Sequence, residues 1–152
     1  MEMWGTSTEE LYRLAEVNTP RLFPWVFGTL PEILCTGEEE DGCEELKNLS
    51  QEDIPNIPMR VLTNRTRRYG AACVLYPGIM EEMAERMGGD FYVFPSSLHE
   101  VILMPCDVMV TVTEEYMKTM ISDINNTQVE LEEVLSNSLY LYDCRSRKME
   151  MR

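Results

Sequence analysis

Apolar and polar residues alternate most regularly between residues 69 and 105. The alanine-rich apolar segment Gly70–Leu75 predicts a compact helical element. From Pro77 to about Met87, apolar side chains recur at helical spacing with charged side chains opposite, which predicts an amphipathic helix. Gly88-Gly89 predicts the end of that helix, because glycine readily takes the left-handed conformation of a helix C-cap.

Short apolar runs predict the strands. Phe91–Phe94 and Val101–Met104 are two such runs on either side of a six-residue polar connection, so we expect them to pair. Met59–Thr63 predicts an earlier strand and Leu139–Tyr142 a final one. Leu22–Phe27 is also apolar, but its proline restricts it to an edge strand or a packed arm.

Two further helices are predicted by capping patterns. Ser7–Glu10 and Thr111–Glu114 both match the capping box, in which a Ser or Thr precedes a Glu by three residues. We expect the first helix to stop at Asn18-Thr19-Pro20 and the second at Asn125-Asn126. The elements together predict an α+β fold, a small and mainly antiparallel sheet with helices packed on one face.

The length of 152 residues is suited to one domain with a real core. We expect a single α+β domain over residues 1–152. It would comprise an N-terminal helix and arm (1–27), an acidic irregular region (28–58) and a core (59–143). The acidic run Glu38–Asp41 is interpreted as a surface loop, because it lacks the alternating ligands and central glycine of a calcium loop.

The formal net charge of −14 restricts the partners. It argues against direct binding of nucleic acid and against anionic membrane surfaces. No apolar run has the length of a membrane span, and the N-terminus lacks a signal-peptide pattern, so a cytoplasmic location is expected. One segment is positively charged in spite of this acidic balance, since it contains an arginine cluster: Arg60, Arg65, Arg67 and Arg68. We interpret it as offsetting nearby carboxylates, with a local anion contact as the alternative.

Cysteine and histidine usage predicts neither a metal site nor a cofactor. The five cysteines are widely spaced and never form a Cys-x-x-Cys pair, and the chain has one histidine. We therefore expect reduced structural thiols, with Cys73 buried. The twelve methionines are interpreted as core and dimer-face packing.

The only candidate catalytic residues lie in the connection after Pro95: Ser96, Ser97, His99 and Glu100. Serine, histidine and a carboxylate are the groups that nucleophilic catalysis combines. However, neighbouring side chains in a turn seldom point at one another, and no Gly-x-Ser-x-Gly motif is present. The alternative is structural: the serines satisfy backbone groups of the turn, and His99 bonds a nearby carboxylate or carbonyl.

The chain resembles an uncharacterised bacterial family, a domain of unknown function found mostly in gut Firmicutes. The resemblance is carried by a Trp-Gly start with Glu-Glu-Leu and Asn-Thr, and by four motifs: VLTN (61–64), YGAACVLYPG (69–78), PSSLHEVILMP (95–105) and EEVLS (132–136). It implies an α+β fold in a bacterial, intracellular setting and supplies no activity. It also implies a further region upstream, so the chain is expected to be the C-terminal part of a longer protein.

Three functions follow as hypotheses. The first is a non-catalytic, acidic interaction domain, dimeric or binding a basic protein, because charge and methionine content are high and no catalytic motif is complete. The second is a small hydrolase or transferase with His99 as the base. The third is an acidic mimic of nucleic acid, which needs carboxylates spaced along one elongated face.

Overall fold

The computed structural model describes residues 5–29, 32–33, 59–95, 97–107 and 113–152. Within these ranges, six strands form one sheet in the order β1-β2-β4-β3-β5-β6, and every neighbouring pair is antiparallel. The strands are β1 (Trp25–Gly28), β2 (Arg60–Asn64), β3 (Phe91–Phe94), β4 (Val101–Pro105), β5 (Tyr140–Asp143) and β6 (Lys148–Met151).

Among the described residues, the helices longer than one turn that accompany the sheet are three α-helices and one 3-10 helix. They are α1 (Thr8–Leu22), the 3-10 helix (Gly70–Leu75), α2 (Ile79–Met87) and α3 (Glu114–Gln128). Ser7 caps α1 by accepting a hydrogen bond from the backbone N–H of Glu10. Gly88 ends α2 in the left-handed conformation, φ 82°, as its position in the sequence predicts.

Two apolar clusters cover the two faces of the sheet. On one face, the alternate strand residues Phe91 and Val93 pack with the 3-10 helix and α2. On the other face, Tyr92 and Phe94 pack with α3. The α+β class and the antiparallel sheet are thus confirmed. The expectation of helices on one face is wrong, because every residue of β3 is buried and both of its faces need a cover.

Several element boundaries differ from the sequence prediction. Helix α1 does not stop at Pro20 but continues to Leu22, with the N–H of Phe23 bonded to the carbonyl of Thr19. A proline in the last turn removes only one hydrogen bond, so the helix tolerates it there. Helix α3 begins after Thr113, whose hydroxyl accepts from the N–H of Tyr116, and runs beyond Asn126. Thr111 lies outside the described residues, as does most of the predicted acidic region 28–58.

The last strand was not predicted. β6 pairs with β5, and its four residues are all exposed. Its Lys-Met-Glu-Met sequence has no apolar run, so hydropathy alone does not identify it as a strand. The turn before it carries a local signal, because the Asp143 carboxylate accepts from the N–H groups of Arg145 and Ser146.

Candidate functional site

The Ser97 side chain organises the connection between β3 and β4. Its hydroxyl oxygen accepts hydrogen bonds from the backbone N–H groups of His99 (3.0 Å) and Glu100 (3.3 Å). The hydroxyl also donates to the Glu100 carboxylate across 2.6 Å. Ser97 is almost fully buried, and these three bonds close the turn. Ser96, the other candidate serine, lies outside the described residues.

The His99 ring is held at both nitrogens. Its Nδ1 atom accepts from the backbone N–H of Tyr69 at 3.2 Å, and its Nε2 atom lies 3.1 Å from a Glu133 carboxylate oxygen. An accepting Nδ1 carries no proton, so Nε2–H is the group that donates to Glu133. Neither nitrogen is directed at Ser97, whose only hydroxyl proton goes to Glu100. The structure therefore places Ser97, His99 and Glu100 in one turn without directing His99 at Ser97 as its base.

His99 instead joins three segments that are distant in sequence. The Thr63 hydroxyl donates to the His99 carbonyl at 2.7 Å, and the N–H of Ala71 donates to the carbonyl of Leu98. On the other side, the N–H of Leu98 donates to the carbonyl of Glu133. We call this set of contacts the His99 junction. Glu133 was not recognised from the sequence, because nothing in the local pattern indicates a partner so far along the chain.

The close approach at this junction requires Gly70. A Cβ atom at position 70 would overlap the Thr63 hydroxyl and the His99 carbonyl oxygen, and would lie 2.9 Å from the backbone nitrogen of Asn64. Glycine is therefore needed here for space. The Tyr-Gly pair in the YGAACVLYPG motif accordingly has a structural role: it allows the 3-10 helix to contact β2 and the 95–100 connection.

Asn64 shapes the turn that follows β2. Its side-chain oxygen accepts from the Thr66 hydroxyl (2.8 Å) and the Arg68 N–H (3.3 Å), and its amide nitrogen donates to the Arg68 carbonyl (2.8 Å). Arg67 and Tyr69 both hold positive φ values of 53°. Non-glycine residues seldom adopt that conformation, and two within three residues indicate a turn whose shape is imposed by its contacts.

The turn presents arginines that have no carboxylate partner among the described residues. Arg65, Arg67 and Arg68 are exposed, and none of them forms an ion pair with a residue that the structure describes. The basic side chains that do form such pairs are Arg86 and Arg147. For Arg65, Arg67 and Arg68, the sequence-based interpretation that the arginine cluster offsets nearby carboxylates finds no support among the described residues. The fourth member, Arg60, does act on a carboxylate, because hydrogen bonds from Thr29 and the charge of Arg60 lower the pKa of Glu32.

A groove of about 390 Å³ lies between the end of α1 and this turn. We call it the α1–turn groove. Tyr76 is buried at its base and donates its hydroxyl proton to the Phe23 carbonyl across 2.9 Å. The groove is lined by residues from α1, the turn and the 3-10 helix: Thr19, Phe23, Asn64, Thr66, Arg68, Tyr69, Ala72 and Tyr76. Its volume is within the range of small-ligand sites.

Tyr69 connects the groove to the His99 junction. Its side chain is 63% exposed at the groove, and its ring centroid lies 5.8 Å from that of His99. His99, one of the residues that the sequence singled out, thus holds a wall of the groove in position through the backbone N–H of Tyr69. Tyr69 was not recognised as a site residue from the sequence, although it belongs to the regular segment 69–105.

The described cysteines have no arrangement that suggests chemistry. Cys73 is buried as predicted, and burial raises the pKa of its thiol. Burial and the neighbouring Asp90 and Asp107 carboxylates raise the pKa of Cys106 to about 11. A thiol with a raised pKa is a weak nucleophile at neutral pH. Within the described ranges, no three His, Cys, Asp or Glu side chains are grouped to hold a metal ion.

Comparisons with known proteins give one match. A model of a family of unknown function, DUF5688, matches residues 1–144 of this chain, which confirms the resemblance to an uncharacterised family. Searches of curated proteins and of solved structures each found no significant match. Among the described residues, no helix is both long enough and apolar enough to cross a membrane.

Proposed function

We propose that this chain, which belongs to the family of unknown function DUF5688, is a non-catalytic interaction domain that pairs with a second copy of itself. The observation that carries the proposal is the apolar side of α1. Leu11, Leu14, Ala15 and Leu22 recur at helical spacing, and no residue of the helix is buried. We call these four residues the α1 stripe.

The α1 stripe needs a cover. A helix of 15 residues is only marginally stable unless an apolar face packs against something. Leu14 is 51% exposed and Leu22 is 71% exposed, so the described part of the chain covers neither fully. Thr19 and Pro20 of α1 line grooves against the domain. They lie about 80° and about 180° around the helix from Leu11, which is in the middle of the stripe.

The charges on α1 favour a second copy in antiparallel orientation. Glu9 and Glu10 lie in the first turn, and Arg21 lies in the last. An antiparallel pair would place these acids beside the arginine of the other copy and would oppose the two helix dipoles favourably. A parallel pair would place like charges together. The motif is therefore self-complementary, as a two-fold symmetric interface requires.

Size-exclusion chromatography with light scattering tests this pairing. The wild-type chain is expected to elute as a dimer, and Leu14→Glu combined with Leu22→Glu as a folded monomer. Arg13→Gln lies on the opposite, charged side of α1 and is expected to leave the dimer intact. A monomeric wild type at high micromolar concentration, or a stripe variant that remains dimeric, would overturn the proposal.

A basic protein partner is the second element of the proposed function. It is supported by the net charge of −14 and by the exposed acids that follow one another on α3 and the next turn: Glu115, Asp123, Glu130 and Glu132. Neutralising these four acids is expected to abolish capture of a basic protein from lysate, as is high salt, because exposed charges are screened. Capture that survives both changes would contradict this element. The proposed setting is the bacterial cytoplasm.

The other two hypotheses lack comparable support. The hydrolase hypothesis needs His99 as the base that accepts the serine proton. Ser97 donates to Glu100 instead, and the His99 ring is bonded to Tyr69 and Glu133. A nucleic-acid mimic needs carboxylates along one elongated face. The described acids are not confined to one face, because some lie on α2 and others on α3, and these helices cover opposite faces of the sheet.

A further inference from the structure

We propose that the α1–turn groove binds a small ligand that has an aromatic or aliphatic body and one acidic group. None of the four residues of the α1 stripe lines this groove, to which α1 and the residue after it contribute Thr19 and Phe23. The inference thus goes beyond the interaction function and does not depend on it.

The floor and walls of the groove suit the apolar body. Phe23, Ala72 and Tyr76 contribute carbon surface, and the Tyr76 hydroxyl is already used by the Phe23 carbonyl. The exposed ring of Tyr69 stands at the rim, where it can stack on a flat ligand. The remaining lining side chains of the turn, Asn64 and Thr66, bond to each other. They therefore leave few unsatisfied polar atoms that an apolar ligand would have to cover.

Arg68 suits the acidic group. It lines the groove, it is exposed, and it has no carboxylate partner among the described residues. Arg65 and Arg67 on the same turn add to the local positive potential. A guanidinium presents a planar set of donors that matches a carboxylate, so one such residue at the edge of an apolar groove selects ligands with an acidic end. In a chain of net charge −14, a turn of arginines that have no ion-pair partner among the described residues is a specific departure from the overall charge.

The site is positioned before any ligand binds. Asn64 holds the Arg68 backbone through both its N–H and its carbonyl. His99 holds the backbone N–H of Tyr69. A site whose walls are fixed in advance loses less conformational entropy on binding, which favours affinity from a small contact area. In this proposal, the role of the His99 junction is to hold Tyr69 in position at the groove and not to catalyse a reaction.

Two fluorescent probes with the same aromatic body test the proposal. Anilinonaphthalene sulfonate carries one anionic group, and phenylnaphthylamine carries none. Arg68→Gln is expected to weaken binding of the sulfonate about tenfold and leave the neutral probe within about twofold, because only the charge-assisted contact is lost. Ala72→Trp fills the groove and is expected to weaken both probes. Both positions are exposed, and a thermal unfolding curve for each variant verifies the fold.

The control is Arg145→Gln, an exposed arginine in the turn between β5 and β6 at the other edge of the sheet. It changes the net charge equally and is expected to leave both probes unaffected. The proposal is overturned if Arg68→Gln weakens the two probes alike or neither, if Ala72→Trp affects neither, or if Arg145→Gln acts as Arg68→Gln does.

A further arm addresses competition from the chain's own acids. In one variant, each Glu and Asp of the run Glu38–Asp41 is replaced by Gln or Asn. In a matched variant, the same replacement is made at four other acids: Glu115, Asp123, Glu130 and Glu132. Equal affinities of the two variants for the sulfonate probe support an external ligand. Much tighter binding by the first variant alone would overturn the proposal, because it would assign the arginines to that run.

Discussion

The backbone N–H of Tyr69 donates to the Nδ1 atom of His99, 30 positions further along the chain, across 3.2 Å. Tyr69 is held there in the left-handed conformation, φ 53°, with its ring exposed at the edge of a groove. One histidine thus sets the position of an aromatic side chain on the far side of the turn. Both residues belong to motifs that carry the family resemblance.

His99→Phe should destabilise the fold while retaining a ring beside Tyr69. The substitution removes the bonds to the Tyr69 N–H and to Glu133, which together contribute about 1–2 kcal/mol. Urea unfolding followed by circular dichroism measures the loss. Glu133→Gln keeps an acceptor for the Nε2–H group and should cost less than His99→Phe. Equal stability of His99→Phe and wild type would show that neither bond contributes.

Gly70→Ala should be more destabilising than Gly78→Ala, although Gly78 is the one of these two glycines that has a positive φ value. A Cβ at position 70 would overlap the Thr63 hydroxyl and the His99 carbonyl oxygen, and overpacking of this kind costs about 1–3 kcal/mol or more. A Cβ at position 78 would meet no atom within 4 Å, so only the left-handed backbone costs about 1–2 kcal/mol. Denaturant midpoints compare the two variants. The reverse order would contradict the proposed close approach.

Thr113→Ala should lower stability by about 1 kcal/mol, because its hydroxyl accepts from the N–H of Tyr116 at the start of α3. Thr111→Ala is the matched control, since the sequence pattern favours Thr111 as the cap whereas the structure places the cap at Thr113. We expect little change from it. Thermal unfolding of both variants decides between the two positions, and a larger effect at Thr111 would shift the start of the helix.

Stability should fall as the pH rises above about 9, the ordinary pKa range of thiols. Burial, together with Asp90 and Asp107, raises the pKa of Cys106 to about 11 in the folded state. Burial and the bonded Glu114 carboxylate raise the pKa of Tyr92 to about 12. At pH values between the unfolded and the folded pKa, the folded state binds more protons than the unfolded state. The stability that these two groups contribute is therefore fully present below their unfolded pKa values and is lost as the pH rises through this range.

Urea unfolding at a series of pH values from neutral to alkaline measures this dependence. Cys106→Ala removes one titrating group and should flatten the slope between about pH 9 and pH 11. Tyr92→Phe should flatten the slope mainly above about pH 10, where an unfolded tyrosine begins to ionise. A slope that neither variant changes would contradict the assignment.

Local patterns predicted most of the helices and strands, because the periodicity and the end signals that define them lie within each segment. The spacing of Ile79, Met80 and Met83 defines the buried side of α2, and Gly88 ends that helix in the conformation that glycine favours. The apolar runs of β3 and β4 likewise identify strands. The exposed strand β6 escaped detection, because its pairing with β5 satisfies the backbone without burying a side chain.

The site depended on contacts between distant residues. The sequence placed Ser97, His99 and Glu100 in one turn, but it did not reveal that Glu133 and Tyr69 take the two ring nitrogens of His99. Nor did it reveal that the arginines of the turn after β2 have no carboxylate partner among the described residues. Such contacts depend on how separate segments meet, which residue spacing does not encode.

The sequence by itself determined the class of fold, the main helices and strands, the buried Cys73 and the family resemblance, because each depends on local periodicity, composition or motif. Only the tertiary structure decided that helices cover both faces of the sheet, that Gly70 is required for a close approach, and that His99 positions Tyr69 beside a groove with Arg68. The physical reason is that side-chain contacts form between segments brought together by the packed core, and each contact depends on geometry that no single segment specifies.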